Sequence, residues 1–427
     1  MLSRIKQIYK KDVAAIFSLN VVSTLVKMLA GFVSVKVVAV LVGPAGIALM
    51  GQLSNFSSIA QTFSTGGINN GITKYIASTK ESGGEVRYIR AAVWIVGIFT
   101  LLTGFILLFG SSYFSIRVLK DSMYQPIFMV FGLTIGLYAF NTMLVAVLNG
   151  YKEFKKYVRV NIVGSLVSLC FSIILSYVYG VYGALLAMVT YQSVVLLVTL
   201  QQVASSSWFR VDHFIGRFDI EAVKKLANYS LMAFVSAATV PVSQLIVRNY
   251  TVETISLTQA GIWEGMNRIS NMYLMVITSS LSVYYLPRLA EIKSDVELRN
   301  EIFSIYKMVI PFLLLATLGI YGMRDIIINL LFNKEFEGMR ELFAYQLLGD
   351  FFKITSWLLA YLMLARSMTK LFVVSEVLFS VSFALLAMGF IDMYGEIGAT
   401  LAYALNYFLY LATVLIIFRK IICFHEK

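Results

Sequence analysis

The chain has 427 residues, of which 59% are hydrophobic and 14% are charged, and its formal net charge at pH 7 is +12. A soluble globule needs a polar exterior, and this composition leaves too few polar residues to cover one. The composition therefore excludes an ordinary soluble enzyme or binding module and predicts an all-α protein that crosses a membrane many times.

Apolar runs of about 20 residues, the length needed to cross the hydrocarbon core of a bilayer, recur along the whole chain. The first run follows basic residues near the N-terminus. It is longer than the apolar part of a signal peptide and no small-residue cleavage site follows it, so we expect it to remain as a helix. We predict about twelve transmembrane helices, with approximate bounds 13–41, 46–73, 91–110, 126–149, 158–179, 182–205, 226–250, 258–286, 304–322, 343–364, 371–391 and 396–418.

The connections between these runs differ in charge from one side of the membrane to the other. Most of the 35 Lys and Arg residues fall in every second connection and in the two terminal segments. Basic connections stay in the cytoplasm, so the pattern predicts that both termini are cytoplasmic. The positive net charge then reflects contact with anionic lipid headgroups, and nucleic-acid binding is disfavoured.

Several classes of activity lack the residues they need. The chain has two Cys and two His, and these (Cys170, Cys423, His213 and His425) suggest neither a disulfide framework nor a metal site. No phosphate-binding loop of the G-x-x-x-x-G-K-[ST] type occurs, and no cofactor is expected. No predicted connection exceeds about 20 residues, too short for a soluble catalytic domain. These features disfavour chemistry and favour transport.

A short repeat indicates two halves. Ala-Gly-Ile occurs at 45–47, at the start of the second predicted span, and again at 260–262, at the start of the eighth. Spans six apart keep the same direction across the membrane, as in transporters built from two parallel repeats. We predict an N-terminal six-helix lobe at 1–205, a cytoplasmic linker at 206–222 and a C-terminal six-helix lobe at 223–427, with a central cavity between the lobes.

On three of the predicted spans, charged residues belong to a polar face, and an unpaired charge inside the membrane is costly. Glu264 and Arg268 are four residues apart on the eighth span, and Asp350 and Lys353 are three apart on the tenth. Lys27 on the first span has no acidic residue within one turn. One interpretation is that the first four form ion pairs within their own helices. The other is that all five face a water-filled cavity, and the sequence alone leaves both open.

Four further residues extend the candidate site: Gln52 and Asn55 on the second span, Arg248 on the seventh, and Glu376 on the eleventh. Arg248 either joins the cavity or extends to the interface, and Glu376 is either a vestibule residue or a coupling residue for protons or sodium ions. Toward the middle of the membrane, four cations (Lys27, Arg248, Arg268 and Lys353) outnumber two acids (Glu264 and Asp350). The cavity should therefore be net positive and suited to an anionic, amphipathic cargo.

Essentially the whole chain resembles the Wzx-type polysaccharide-repeat flippases of the MOP superfamily, the group of O-antigen translocases and lipid III flippases. The resemblance is evident in NNGITKYIA (69–77), AGIWEGMNRISN (260–271) and SVYYLPRLAEI (282–292). It implies a MATE-like fold of twelve helices, location in the bacterial inner membrane, and alternating access linked to an ion gradient. The implied cargo is an undecaprenyl-diphosphate-linked oligosaccharide, with O-antigen and enterobacterial common antigen repeats both open.

The resemblance also assigns roles to the candidate residues. Lys27, Arg268 and Lys353 become contacts for the diphosphate, and Glu264 and Asp350 become gating residues that orient them or exchange on switching. From their positions on the spans alone, we expect Arg248, Gln52 and Asn55 to be further substrate contacts and Glu376 to be a gating or coupling residue. Other membrane proteins of polysaccharide assembly are expected partners. Two alternatives stay open: a drug or small-solute exporter of the same superfamily, which would favour an acidic cavity, and a membrane polysaccharide polymerase or ligase, which the short external connections disfavour.

Overall fold

The computed structural model describes residues 2–79, 83–216, 218–228, 230–281, 285–292, 294–366 and 368–422. Within these ranges the regular structure is helical. The α-helices in chain order are α1 (Leu2–Ser64), α2 (Asn69–Thr79), α3 (Glu85–Phe109), α4 (Ser111–Leu119), α5 (Gln125–Gly150), α6 (Phe154–Ala204), α7 (Ile220–Ala227), α8 (Ser230–Thr254), α9 (Leu257–Ser280), α10 (Leu286–Glu291), α11 (Asp295–Gly322), α12 (Arg324–Leu331), α13 (Met339–Ala365), α14 (Thr369–Tyr394), α15 (Gly398–Ile417) and α16 (Arg419–Ile422).

The twelve predicted spans fall largely on helix. The second, 46–73, includes the break between α1 and α2, and the seventh and eighth include residues 229 and 282–284, which lie outside the described residues. The first two share α1, which bends at Gly43, where φ is 65°, and the fifth and sixth share α6, which bends at Gly180, where φ is 57°. Positive φ is a conformation that glycine adopts without steric cost, so these two positions let one helix turn and continue as the next.

Within the described part of the chain, seven helical segments are long and apolar enough to cross a membrane. They are Val22–Ser64, Glu85–Phe109, Ser122–Gly150, Phe154–Ala204, Asp295–Gly322, Met339–Ala365 and Thr369–Ile417. Three of these, with 43, 51 and 49 residues, have the length of two passes each. The helices α8 and α9, of 25 and 24 residues, also have the length of a span. They carry the charged residues Arg248 on α8 and Glu264 and Arg268 on α9. The protein is therefore a polytopic membrane protein.

The chain forms two compact units, one from residues 1–42 and 52–237, and the other from 43–51 and 238–427. In the first unit, α2, α3, α5 and α6 share a core that includes Ile72, Ile89 and Val147. In the second, α9, α11, α13 and α15 share a core that includes Leu281, Leu313 and Leu358. The lobe boundaries drawn from the sequence stay a prediction.

Residues 43–51 of α1 pack against the beginning of α9. A Cβ atom on Gly261 would overlap the carbonyl group of Pro44, and a Cβ atom on Gly51 would lie 2.8 Å from the Cγ of Glu264. Glycine at both positions permits backbones to approach this closely. The Ala-Gly-Ile segment at 260–262 thus lies beside Pro44, which immediately precedes the first Ala-Gly-Ile segment at 45–47. This contact positions the turn of α9 that contains Glu264.

The segment that follows α6 is held to the turn before α6. The ring of Trp208 stacks on that of Tyr151 with centroids 4.3 Å apart, and its Nε1 donates to Glu153 at 2.8 Å. The hydroxyl of Ser206 also donates to Glu153 at 2.8 Å. The ammonium of Lys156 forms an ion pair with the same carboxylate at 2.8 Å. One carboxylate therefore holds part of the 206–222 segment to the α5–α6 turn.

This contact is expected to weaken in acid. Burial alone would raise the pKa of Glu153, but the hydrogen bonds and the charge of Lys156 outweigh burial and lower it. Because the pKa is lower in the folded state, the stabilisation is present above the ordinary Glu pKa and is lost as the pH falls through the folded value. We expect Trp208 fluorescence, isolated by subtracting a Trp208→Phe variant, to shift to longer wavelength below about pH 4. Glu153→Gln should show the shifted spectrum already at neutral pH, and an unchanged titration in that variant would refute the assignment.

Candidate functional site

Two arginines share one carboxylate in the second unit. The Nη2 of Arg248, on α8, forms an ion pair with Oε2 of Glu264, on α9, and the Nε of Arg268, one turn along α9, lies 3.3 Å from Oε1 of the same residue. The guanidinium of Arg248 also lies over the ring of Trp263, 5.6 Å from its centroid. We call Arg248, Glu264 and Arg268 the arginine triad.

The arginine triad carries one surplus positive charge. Arg248 is 1% exposed, whereas the side chain of Arg268 is 19% exposed, so the accessible part of the surplus is on Arg268. Among the described residues, four nearby buried nitrogens have no hydrogen-bond acceptor: Nε and Nη1 of Arg248, Nε1 of Trp263 and Nδ2 of Asn267. All four are donors, and a cluster of donors with net positive charge is suited to an anion.

Asp350 on α13 joins three helices. It is fully buried, and its Oδ2 accepts hydrogen bonds from Ser270 at 2.6 Å and from Tyr273 at 2.5 Å, both on α9. Its Oδ1 accepts one from Tyr403, on α15, at 2.8 Å. The carboxylate therefore obtains its hydrogen bonds from hydroxyl groups, and these connect α9, α13 and α15.

Lys353 does not form the direct ion pair with Asp350 that their spacing allowed. Among the described residues no acidic oxygen lies within 4.0 Å of its ammonium group. The ammonium lies instead over three rings, 5.1 Å from the centroid of Trp357, 5.7 Å from that of Tyr403 and 5.4 Å from that of Tyr407. These are cation–π distances. The rings attract the cation and leave the hydroxyl groups as the hydrogen-bond donors to Asp350.

A cleft of about 550 Å³, including its open mouth, lies beside these rings. We call it the aromatic cleft. Its lining residues come from α8, α13, α14 and α15: Val240, Ser243, Gln244, Trp357, Ser375, Glu376, Phe379, Ser380, Phe383, Tyr403, Asn406, Tyr407 and Tyr410. It contains one of the predicted residues, Glu376.

The remaining predicted residues belong to the first unit. Lys27 is exposed on the first part of α1, while Gln52 is buried and Asn55 is half-buried on the second part. Their membership of one cavity with the arginine triad stays a prediction. Sequence reasoning did not identify Ser270, Tyr273, Tyr403 or Tyr407. A signal was present for the last two, because tyrosines at 403, 407 and 410 follow the helical spacing of a single face.

The chain is similar to known membrane transporters in sequence and in fold. The lipid III flippase of Escherichia coli (strain K12) is 28% identical over 391 residues, covering 91% of this chain and 94% of the relative. Among solved structures, an inward-facing MATE-family multidrug resistance transporter of the MOP superfamily has a TM-score of 0.72 at 12% identity, covering 95% of this chain and 96% of the other. The lipid II flippase MurJ, in an inward closed conformation, has a TM-score of 0.72 at 13% identity, covering 96% and 90%.

These two structural likenesses confirm the predicted all-α fold of the MOP superfamily. Residues 13–293 match the family described as polysaccharide biosynthesis protein. That match covers more than half of the sequence, and the chain therefore belongs to the polysaccharide biosynthesis protein family.

Proposed function

We propose that this protein is a flippase that moves an undecaprenyl-diphosphate-linked oligosaccharide from the cytoplasmic to the periplasmic leaflet of a bacterial inner membrane. Two comparisons support the class of cargo, since one relative is named a lipid III flippase and a structural neighbour is named a lipid II flippase. The observation that carries the proposal is the surplus charge of the arginine triad. Glu264 is shared by two arginines, which leaves a cation for the diphosphate.

In this proposal the three members of the arginine triad have different tasks. Arg248, buried against Trp263, neutralises Glu264 and fixes its orientation. Arg268, which contacts Glu264 through Nε, keeps its Nη groups for phosphate oxygens, and an Arg–phosphate pair is strong because both partners are charged. Lys27, Gln52, Asn55 and Lys353 are further proposed substrate contacts, and Glu264 and Asp350 are proposed gating residues.

The cycle is proposed to be alternating access with both termini in the cytoplasm, driven by a proton or sodium gradient and serving other membrane proteins of polysaccharide assembly. A drug exporter of the same fold would need an anionic site for organic cations. The surplus charge of the arginine triad is of the opposite sign, and it favours the flippase over the exporter.

A reconstituted transport assay tests this proposal. Full-length protein in proteoliposomes is given undecaprenyl diphosphate that carries N-acetylglucosamine, and a membrane-impermeant lectin reports the sugar that reaches the far leaflet. We expect exchange well above that of protein-free vesicles, and slower net movement when ionophores collapse both proton and sodium gradients. Exchange equal to that of protein-free vesicles would refute the flippase, whereas exchange indifferent to the ionophores would refute only the coupling.

A further inference from the structure

We infer that the aromatic cleft binds one sugar ring of the cargo, at a site separate from the arginine triad. This inference rests on the proposed function. It concerns the sugar that follows the diphosphate, a part of the cargo that the arginine triad cannot recognise by charge.

The wall of the aromatic cleft is a connected row of rings on α14 and α15. Tyr403 contacts Phe383, with centroids 6.1 Å apart, and Tyr407, at 4.8 Å. Tyr407 contacts Tyr410 at 6.4 Å, and Tyr410 contacts Phe379 at 4.8 Å. Each ring is held edge-on by its neighbour, so the faces are fixed before a ligand arrives. A sugar ring has a flat C–H face that can lie against such a surface.

Polar side chains in the aromatic cleft can accept hydrogen bonds from hydroxyl groups. Asn406 is 4% exposed, and its Oδ1 has no hydrogen-bond donor among the described residues. The carboxylate of Glu376 also forms no hydrogen bond or ion pair within the described part of the chain. Gln244 from α8 adds an amide on the same lining. Amides and a carboxylate beside aromatic faces fit a ligand rich in hydroxyl groups.

The charge balance of the aromatic cleft argues against other ligands. The ammonium of Lys353 lies over Trp357, Tyr403 and Tyr407, so an organic cation at these rings would be repelled by a like charge, whereas a neutral sugar would not. Asp350 and Glu376 both act on the charge of Lys353, so no positive charge is left over for a diphosphate. A neutral sugar ring is the ligand that these observations favour.

The aromatic cleft and the arginine triad are connected through Asp350. Tyr403, a lining residue, donates to Asp350, which also accepts from Ser270 and Tyr273 on the helix that carries Glu264 and Arg268. A sugar in the cleft and a diphosphate at the arginine triad would therefore act on the same group of helices, α9, α13 and α15.

Equilibrium binding to the full-length protein in nanodiscs tests the inference without requiring transport. The probes are undecaprenyl diphosphate with N-acetylglucosamine and undecaprenyl diphosphate without sugar. We expect wild-type protein to bind the sugar-bearing lipid about tenfold more tightly, a ratio that corresponds to roughly 1.4 kcal/mol. Tyr407→Leu and Asn406→Ala should each abolish most of this preference and leave binding of the sugar-free lipid unchanged.

Phe408→Leu is the matched control, because Phe408 adjoins Tyr407 in sequence but is exposed and does not line the aromatic cleft. It should keep the wild-type preference. Equal binding of both lipids by wild-type protein, or equal weakening of both in the folded variants, would overturn the inference. Glu376→Gln should also reduce the preference. If that variant kept the preference but its transport no longer responded to the gradient, Glu376 would be a coupling residue and its assignment to the sugar would be wrong.

Failure of the inference differs from failure of the proposed function. Tighter binding of the sugar-bearing lipid without any transport would refute the proposed flippase function but support a sugar site in the aromatic cleft. Transport by a protein that binds both lipids equally would refute the sugar site but support the flippase function. The Oδ1 of Asn406 accepts no hydrogen bond from the described residues, so Asn406→Ala breaks no hydrogen bond at that atom. This variant should therefore fold even if Tyr407→Leu does not.

Discussion

Replacing Arg268 with Gln should slow transport of the diphosphate-linked sugar about 10- to 100-fold, because one charge-assisted hydrogen bond contributes roughly 1.5–3 kcal/mol. Gln has a similar length but no charge. Folding should be little affected, since Glu264 keeps its ion pair with Arg248. The measurement is the initial rate of lectin-accessible sugar in proteoliposomes, normalised to the amount of reconstituted protein.

Two further variants sharpen this prediction. Arg268→Lys should recover part of the rate, because it restores the charge without the planar fork of guanidinium donors. Arg324→Gln is the control: Arg324 is an arginine of the same unit whose guanidinium bonds the carbonyl of Tyr321, outside the site. Unchanged transport in folded Arg268→Gln would show that Arg268 only holds Glu264.

Replacing Asp350 with Ala should lower the free energy of unfolding by about 3–5 kcal/mol, because a buried hydroxyl group that loses its acceptor costs roughly 1–3 kcal/mol. Ser270, Tyr273 and Tyr403 would each lose the acceptor that now satisfies their hydroxyl groups. The helices α9, α13 and α15 would also lose the group that joins them. Unfolding by SDS in mixed micelles, followed by gel filtration, measures the effect.

Asp350→Asn should lower the free energy of unfolding by less than half as much, because the amide oxygen of Asn can still accept hydrogen bonds from the hydroxyl groups on one side. Asp325→Ala removes an exposed carboxylate paired with Arg340 at 2.6 Å, and should unfold like the wild type because exposed pairs contribute little. If Asp350→Ala unfolded like Asp325→Ala, the three hydroxyl contacts would not connect the helices as described.

Much of the fold follows from local sequence. A span is recognised from about 20 consecutive apolar residues, and neither its length nor its hydropathy depends on distant neighbours. The predicted spans accordingly fall largely on helices, including the pairs that continue through Gly43 and Gly180. The membership of residues 43–51 in the second unit was not predicted, because it depends on a close approach between Pro44 and Gly261, 217 positions apart in the chain.

The candidate site was predicted in part. Helical spacing allowed the contact between Glu264 and Arg268, which are on one helix, and the structure contains it. Helical spacing could not predict that Arg248, on the preceding helix, forms an ion pair with the same carboxylate. Pairing between helices depends on how the helices pack. Spacing also allowed an Asp350–Lys353 pair. Hydroxyl groups and rings from α9 and α15 compete for the two charges there, and single-helix geometry contains no information about them.

In this mechanism the surplus positive charge of the arginine triad binds the diphosphate through Arg268, the accessible cation of the three residues. Binding of sugar-free undecaprenyl diphosphate in nanodiscs tests it with four proteins: wild type, Arg268→Gln, Glu264→Gln and the double variant. The double variant has the same net charge as the wild type, but its remaining charge is on the buried Arg248. We predict that Glu264→Gln binds at least as tightly as the wild type, and that the double variant binds as weakly as Arg268→Gln. Wild-type affinity in the double variant would contradict this account.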